Sequence, residues 1–429
     1  MTDLRPAPAS DEEPTPGPTP DPSPVSSGRE AHPHSGVLPT FAVRFWLAAA
    51  GLLSMALVVP AAPSDFLMSF WALSVQRGYR SRALPATVVQ ALGFERVTVR
   101  LVSWVSVLVL LAVLGLLVRL ATAGSRWWPS WTTLLLGMLV VGSPASLRSF
   151  AFELVAFDGL VLLVTVTGLV VLLRDGGSWR LPAVGALAAV GVLVHEGFVL
   201  LALPLLLAAV VVRAGPAPLR RVAAEAAVVL VVPLLALAWV AAEPTLPRGD
   251  VAARSAVVRS VVELGPGEEK SRWAILNHTR TIADNVRYTA DVVRKRGHGR
   301  HLISLLACVP TVAAAALVGR RLVPDGRPLL LTGLWAGSSV APLLLALLGH
   351  DWGRWIAYGT LNAVLGVVWL AARQRTTGEI GRTGAARGVT HVVVGLTVLA
   401  LMTPPFARDG SFRVRVGQPA EVLKVLLDR

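Results

Sequence analysis

Residues 101–121 read LVSWVSVLVLLAVLGLLVRLA, and this stretch decides the fold. Its one charged residue is Arg119, and as a helix it matches the roughly 30 Å hydrocarbon core of a bilayer. The whole chain is of the same kind, since 54% of its 429 residues are hydrophobic and only 15% are charged. Soluble domains carry about 25% charged residues. We therefore expect an all-α integral membrane protein.

Apolar segments recur along almost the whole chain, and we predict about eleven membrane-spanning helices. Ten is the alternative, because only three residues interrupt the apolar run 181–213. Two further segments, 65–76 and 83–94, are too short to cross and predict re-entrant or interfacial helices after the first span. The predicted spans are 43–61, 101–121, 130–143, 154–173, 181–194, 197–213, 222–242, 302–319, 328–348, 353–371 and 388–404.

Composition divides the chain into three parts. Residues 1–40 contain ten prolines among polar residues and predict a disordered tail. Residues 41–405 form the predicted polytopic domain, which includes a long polar loop at 244–301 with a helix-compatible run at 277–296. Residues 406–429 form a C-terminal tail.

The net charge of +14 comes from 37 arginines against three lysines. In a polytopic protein such charge reports topology and contact with lipid headgroups, so we expect no nucleic-acid partner. Five tight connections on one side each carry at least two arginines, which favours that side as cytoplasmic. The two long loops are also basic and argue against this orientation. We weight the tight loops and expect a multi-pass membrane protein in this orientation.

Whichever way the chain is inserted, the predicted spans place many ionisable residues at the same membrane face. Such residues at membrane depth are costly and usually mark a functional cavity. The alternative is that polar residues simply collect at helix ends. The group comprises Asp65, Arg77, Arg80, Arg82, Glu153, Asp158, His195, Glu196, Asp351 and Arg354.

His195 and Glu196 separate two apolar helices, where neither is needed merely to turn the chain. They are candidates for a general base acting on a sugar hydroxyl, or form a polar pair at headgroup level. Val199 stands where a zinc protease would need its second histidine, so that class is excluded. We place Asp158 about a turn and a half into the fourth span, as a catalytic carboxylate or a buried partner for an arginine.

Residues 349–355 read GHDWGRW and open the tenth span. Asp351 is suited to cap the helix, with Arg354 one turn further on. A guanidinium beside Trp352 and Trp355 suits a lipid phosphate with a stacked sugar. A helix cap, an ion pair and an interfacial aromatic belt explain the same residues without a ligand.

Arg77, Arg80 and Arg82 lie between the two short apolar segments and would bind a phosphate or the headgroups of anionic lipids. Cys308 is the single cysteine, so neither a disulfide framework nor a thiolate metal cluster is possible within one chain. Nucleotide-binding, nucleophile-elbow and metal-binding motifs are absent from the sequence. We therefore expect neither a metal nor a cofactor.

Three short stretches resemble signatures of bacterial polytopic exopolysaccharide and O-antigen repeat-unit polymerases. They are YRSRAL at 79–84, HEGF at 195–198 and GHDWGRW at 349–355, about thirty residues with their surroundings. Ala83 departs from the first signature, where a glycine follows the arginine. The resemblance implies a multi-pass protein of the bacterial cytoplasmic membrane. It also implies glycosyl transfer at the extracytoplasmic face of that membrane, with saccharides on a polyprenyl pyrophosphate carrier as partners.

By the same resemblance, Arg82 and Arg354 would hold the pyrophosphate. His195, Glu196 or Asp351 would deprotonate the acceptor hydroxyl. The chain is also similar to integral-membrane glycosyltransferases that use polyprenyl-phosphate sugars and keep a catalytic acid in the first outer loop. Asp65 occupies that place in this sequence.

Two other classes of function fit the same residues. A transporter or flippase of lipid-linked saccharides would use the arginines for phosphate without needing a base. A cell-envelope assembly protein without enzymatic activity would need the polar residues only for contact with a partner.

Overall fold

The computed structural model describes residues 40–60, 64–124, 131–152, 156–174, 176–215, 217–265, 272, 275–296, 299–322, 328–349, 351–377, 387–403 and 427. The predicted tail 1–40, apart from Thr40, and nearly all of the tail 406–429 lie outside these residues. Within them the regular structure is helical, with one isolated parallel bridge between Val97 and Val262.

The first half of the described chain contains α1 (Thr40–Ala56), α2 (Asp65–Ser69), α3 (Leu84–Ala91), α4 (Val99–Thr122), α5 (Trp131–Gly142), α6 (Leu147–Phe152), α7 (Asp158–Leu173) and α8 (Arg180–Val194). The second half contains α9 (Phe198–Leu201), α10 (Leu203–Ala214), α11 (Leu219–Ala241), α12 (Val251–Val261), α13 (Ile282–Arg296), α14 (Gly299–Leu322), α15 (Pro328–Val340), α16 (Trp352–Thr377) and α17 (Arg387–Met402). Single 3₁₀ turns at Phe70–Ala72, Val75–Arg77 and Arg248–Asp250 and a longer 3₁₀ segment at Ala341–Leu347 join them.

Five helical segments in the described residues are long and apolar enough to cross a bilayer. Six shorter apolar helices lie beside them, and every predicted span falls on one of these elements. The prediction of an all-α membrane protein is confirmed. The five long segments are Val99–Thr122, Thr133–Ala151, Leu219–Ala241, His301–Arg320 and Trp352–Thr376.

Three local predictions need correction. The run 181–213 is not one helix, because His195 takes an extended conformation and Ala202 interrupts the chain again. Asp158 does not lie inside a span; it is the first residue of α7. The helix predicted at 277–296 begins at Ile282, because 278–279 form a turn and Thr281 and Asp284 exchange hydrogen bonds across the helix start.

Helix α16 is the centre of the bundle, and most of its length is buried against α4, α5, α7, α10, α14 and α15. Its polar side chains bind backbone carbonyls of the surrounding helices. Trp369 Nε1 donates to Leu169 O at 2.9 Å, and Arg375 donates to Ala121 O and Ala123 O at 2.8 Å each. These contacts satisfy polar groups that an apolar environment would otherwise leave unpaired.

The outer helices carry the exposed apolar surface. Helix α11 exposes Val231, Leu234 and Leu235, and α14 exposes Leu302 and Leu306. Soluble monomers rarely expose apolar surface on this scale. A contiguous apolar perimeter around a helical bundle is what lipid contact requires.

The bundle has two distinct ends. The end at which α4 and α16 begin, near Val99 and Trp352, is called the cap end. The end at which both helices finish, near Thr122 and Thr377, is called the opposite end. Arg375 joins the two helices there through its contacts with the carbonyls of α4.

A layer of connections covers the cap end and is called the cap layer; it consists of residues 64–98 together with 243–265, 272 and 275–281. Hydrogen bonds connect its two parts, since Val97 N donates to Val261 O at 2.7 Å and Gly265 N donates to Asp65 Oδ1 at 3.0 Å. The two short apolar segments predicted after the first span form α2 and α3 in this layer. Met68, Phe70 and neighbouring side chains are buried.

Candidate functional site

A small cleft lies beneath the cap layer, among the ends of three helices. Asp158 begins α7, His195 follows the last residue of α8, and Arg354 lies in the first turn of α16. Phe70 and Arg82 close the cleft from the cap layer. Its free volume of about 10 Å³ leaves room for about one water molecule.

Arg82 is held in an uncommon backbone conformation. Its φ of 58° makes it the single non-glycine residue with positive φ in the part of the chain that the structure describes. Residues other than glycine adopt this left-handed conformation at a cost of about 1–2 kcal/mol. The conformation accompanies a side chain that packs with its guanidinium 5.2 Å from the Phe70 ring centre.

Glu196 is the partner of Arg82. Arg82 Nη2 donates to Glu196 Oε1 at 2.8 Å, and Nε lies 3.2 and 3.3 Å from the two carboxylate oxygens. Ser81 Oγ donates to Glu196 Oε2 at 2.8 Å. The pair is only partly covered, since 23% of the Arg82 side chain and 34% of the Glu196 side chain are exposed. It therefore lies where a molecule arriving from the cap end can reach it.

Arg354 lies deeper than Arg82, and only 8% of its side chain is exposed. Its Nε lies 3.5 Å from Asp158 Oδ1 and its Nη1 3.6 Å from Asp351 Oδ2. These are ion-pair distances, longer than charge-assisted hydrogen bonds of about 2.7–2.9 Å. Tyr358 holds the backbone nearby, because its hydroxyl donates to Asp158 O at 3.0 Å.

His195 faces N–H groups at both ring nitrogens. Gly197 N donates to Nδ1 at 3.0 Å, and Arg354 Nη2 lies 2.8 Å from Nε2. A guanidinium has only donors, so an imidazolium with a proton on each nitrogen would be repelled at both contacts. The geometry therefore favours a neutral imidazole that accepts a hydrogen bond inside the cleft.

The charges around the cleft nearly cancel. Two guanidiniums, Arg82 and Arg354, face three carboxylates, Glu196, Asp158 and Asp351. Among the described residues no group of three or more His, Cys, Asp or Glu side chains is arranged to hold a metal ion. The site is thus an array of arginine–carboxylate pairs in which each cation already has an anionic neighbour.

A second cluster supports the loop that carries Arg82. Ser81 N donates to Glu243 Oε2 at 2.8 Å, and Glu243 Oε1 lies 3.2 Å from His278 Nδ1. Burial raises the pKa of the Glu243 carboxyl, but hydrogen bonds from His278 and from the Ser81 and Arg80 amides, together with the charge interaction with His278, hold that pKa below its usual value. Ser81 joins the two clusters, because its amide binds Glu243 and its hydroxyl binds Glu196.

Tyr79 and Arg254 complete this second cluster. The Tyr79 ring packs edge-on against His278 at 5.1 Å, and the Arg254 guanidinium lies 5.7 Å from the Tyr79 ring centre. Arg254 Nη1 also donates to Arg77 O at 2.7 Å. The loop before Arg82 is therefore fixed from the side of the long polar loop.

Some residues of the predicted site lie away from the cleft. Arg80 points outward, since its Nη1 donates to Trp239 O at 3.2 Å and its guanidinium stacks on the Trp239 ring. Asp65 binds the Gly265 amide in the cap layer. Glu153 lies outside the described residues.

The two tryptophans predicted to stack on a ligand, Trp352 and Trp355, also do not line the cleft. Trp355 is buried in the core of the bundle, where its ring offers no face to a ligand. Trp352 Nε1 donates to Gly349 O at 3.2 Å, and its ring packs at 4.7 Å from His301. Their positions are those of packing residues at the start of α16.

Four further residues contribute to the site and are not predicted by the sequence: Ser81, Glu243, His278 and Phe70. Ser81 stood inside the quoted arginine motif, and Glu243 directly follows a predicted span. Their contacts join positions 115 and 162 residues apart, and no local pattern signals such pairing.

Comparison with known proteins adds no assignment: no family model, no curated protein and no solved structure matches this chain. The class of the molecule follows from its fold alone, an all-α membrane protein with a cluster of arginine–carboxylate pairs at one end.

Proposed function

We propose that the protein is a multi-pass glycosyltransferase of the bacterial cytoplasmic membrane, of the polysaccharide-polymerase type. It would transfer a saccharide from a polyprenyl phosphate or pyrophosphate carrier at the extracytoplasmic face. The supporting observation is that two arginines, Arg82 and Arg354, border one cleft at one end of an apolar bundle, and that Glu196 pairs with Arg82 there. Guanidiniums match phosphate oxygens, and carboxylates accept protons from hydroxyls.

The chemical step needs one base and a stabilised leaving group. The acceptor hydroxyl oxygen attacks the anomeric carbon, the bond between that carbon and the carrier phosphate oxygen breaks, and the hydroxyl proton passes to a carboxylate. The carrier leaves as its phosphate, whose negative charge the arginines stabilise. Glu196 is the preferred base, because it is the most accessible carboxylate paired with an arginine at the cleft.

Pairing of Arg82 with Glu196 couples binding to activation. A carrier phosphate competes with Glu196 for the Arg82 guanidinium, because phosphate and carboxylate each offer two oxygen atoms that can accept hydrogen bonds from one guanidinium. Displacement from Arg82 removes the cation that stabilises the ionised carboxylate, so Glu196 becomes a better proton acceptor. The small volume of the cleft requires the cap residues Phe70 and Arg82 to move when the carrier enters.

A transporter or flippase of lipid-linked saccharides is the second candidate function, and a separate observation favours it. Two helices are broken beside α16, at Ala202 and at Ala341–Leu347. Asn362 Nδ2 donates to Leu201 O at 2.8 Å and to Ser338 O at 2.9 Å, next to both breaks. Discontinuous helices at a binding site are typical of secondary transporters.

Reconstitution of the full chain with a polyprenyl-pyrophosphate oligosaccharide separates these functions. Three readouts are needed: glycan extension, carrier binding and movement of carrier between leaflets. For a transferase, Glu196→Gln lowers extension by about 10²-fold or more and leaves carrier binding nearly intact. Arg82→Ala weakens binding itself. Glu225→Gln is the matched control, because Glu225 pairs with Arg213 and Arg221 away from the cleft.

Extension that survives Glu196→Gln contradicts the transferase proposal. If the protein moves the lipid carrier between leaflets without extending the glycan, and only Arg82→Ala abolishes this movement, the protein is a transporter instead. If the wild-type protein neither binds the lipid carrier, nor extends the glycan, nor moves the carrier between leaflets, the envelope-assembly role remains as the explanation.

Orientation is tested in intact cells. On a Cys308→Ala background, single cysteines beside His195, Asp351 and Arg80 are labelled with a membrane-impermeant thiol reagent. The proposal expects labelling from outside the cell, with protection at His195 and Asp351 by added carrier saccharide. Labelling only after the cells are broken contradicts the extracytoplasmic site.

A further inference from the structure

A second and much larger cavity lies in the half of the bundle near the opposite end. Its volume is about 440 Å³, within the range of about 300–1,000 Å³ usual for ligand sites. Helices α7, α10, α14, α15 and α16 all contribute to its wall. The lining is almost wholly apolar and includes Leu169, Leu205, Ala316 and Leu370.

This cavity is where the buried central helix becomes accessible. From Gly353 to Ala372 every residue of α16 is buried except Gly366 and Leu370. These two residues are one turn apart on the same helix face, and both line the cavity. The surrounding wall of helices therefore has a gap at this level, and the gap exposes apolar atoms.

Arg320 lies at the rim of the cavity. It is exposed in the last turns of α14, at the opposite end of the bundle, where the chain leaves its apolar segment. Trp335 contributes its ring to the lining and already uses its polar atom, because Nε1 donates to Ala363 O at 2.8 Å. Among the described residues that line the cavity, Arg320 is the one cation beside a nearly apolar surface.

We propose that this cavity holds an acyl chain of an anionic membrane phospholipid, with the lipid phosphate at Arg320. Apolar hollows of this kind do not hold water well, whereas acyl chains surround the exposed faces of α11 and α14 in a bilayer. Arginine at headgroup depth supplies a matching charge for the phosphate. A lipid is the better occupant than the apolar face of another protein, because the lipid also supplies a phosphate for the cation at the rim.

The lipid site is separate from the candidate active site. Leu169 of the cavity and Asp158 of the cleft lie on α7 eleven residues apart, about 16 Å along the helix axis. Arg320 belongs to the opposite end, whereas Arg82 and Arg354 belong to the cap end. Failure of the glycosyltransferase proposal therefore leaves this one standing.

The charge contribution is tested on the full chain in nanodiscs of phosphatidylglycerol and phosphatidylcholine in equal parts. Native mass spectrometry counts the phosphatidylglycerol molecules that stay with the protein after release from the disc. Arg320→Gln is expected to weaken retention about fivefold, equivalent to about 1 kcal/mol. Arg119→Gln is the matched control, because Arg119 is an exposed arginine in the last turn of α4 at the same end of the bundle.

Filling the cavity tests the acyl chain independently. Ala316→Phe places a ring into the hollow and is expected to lower phosphatidylglycerol retention while Arg320 is intact. Ala112→Phe, on the exposed face of α4, is the control for added bulk. Equal retention in wild type, Arg320→Gln and Ala316→Phe overturns the proposal. A dimer that Ala316→Phe converts to a monomer, without change in bound lipid, assigns the hollow to a second copy and also overturns it.

Discussion

Arg354 Nη2 lies 2.8 Å from His195 Nε2, although the two residues are 159 positions apart in the chain. The contact joins the start of the central helix α16 to the break after α8. It places a donor-only cation against a ring nitrogen, and Gly197 N–H occupies the other one. The imidazole is thereby fixed as a neutral acceptor, which makes His195 a hydrogen-bond partner in the cleft rather than a second cation.

Arg354 should matter more for folding than an exposed arginine does. Arg354→Met removes the guanidinium beside the buried Asp158, and Asp158→Asn removes one anionic neighbour of Arg354. Breaking one side of a buried ion pair costs about 3–5 kcal/mol, so each variant should lower the unfolding midpoint in detergent. The double variant should lose less stability than the sum of the two single variants. Additive losses would show that the contact between Arg354 and Asp158 contributes little.

Backbone conformation and side-chain pairing are separable at Arg82. Arg82→Ala and Arg82→Gly both remove the pair with Glu196, but only alanine keeps a Cβ at the positive φ of 58°. We expect the glycine variant to be more stable than the alanine variant by about 1 kcal/mol, measured by thermal unfolding of the purified protein. The same comparison at Arg80 provides the control, since Arg80 is not among the residues of positive φ. Equal stability of the two Arg82 variants would mean that the loop relaxes when the ion pair is lost.

The apolar helices are predictable from the sequence, because the length and hydrophobicity of each segment are local properties. The order of the spans also predicts that Asp158, His195, Asp351 and Arg354 lie at one membrane face, and the structure brings these four together. Their chemical roles are a separate matter and stay a prediction.

Tertiary pairing was beyond the sequence. Arg80 and Arg82 are two residues apart, yet Arg80 stacks on Trp239 away from the cleft, whereas Arg82 lines the cleft and pairs with Glu196. Arg82 itself has the left-handed conformation, and a non-glycine residue gives no sequence signal of it. The sequence predicts Trp355 at a ligand surface, but its position around the helix axis places its ring in the core.

The Glu243 cluster predicts a specific dependence of stability on pH. Because the folded protein holds the Glu243 pKa below its usual value, the carboxylate contributes stability above the ordinary glutamate pKa of about 4.3. That contribution is lost as the pH falls from there through the folded-state value. Wild type should therefore exceed Glu243→Gln in unfolding midpoint at pH 7, and the difference should shrink below about pH 4.

Glu95→Gln sets the background for this comparison, because Glu95 is an exposed carboxylate of the same cap layer. A difference between wild type and Glu243→Gln that is constant from pH 7 to pH 3.5 would contradict the role of the ionised Glu243.

Gly359 tests how closely α16 approaches its neighbours. A Cβ on Gly359 would collide with the backbone oxygen of Ser339 in α15, which cannot swing aside as the end of a side chain does. Gly359→Ala should therefore force the two helices apart and lower stability by about 1–3 kcal/mol. Gly115→Ala in α4 is the matched control, since no atom lies within 4 Å of the added Cβ. It should leave stability unchanged or raise it by up to about 1 kcal/mol, because alanine favours the helix. Unfolding in detergent measures both, and equal effects of the two substitutions would contradict the tight contact between α15 and α16.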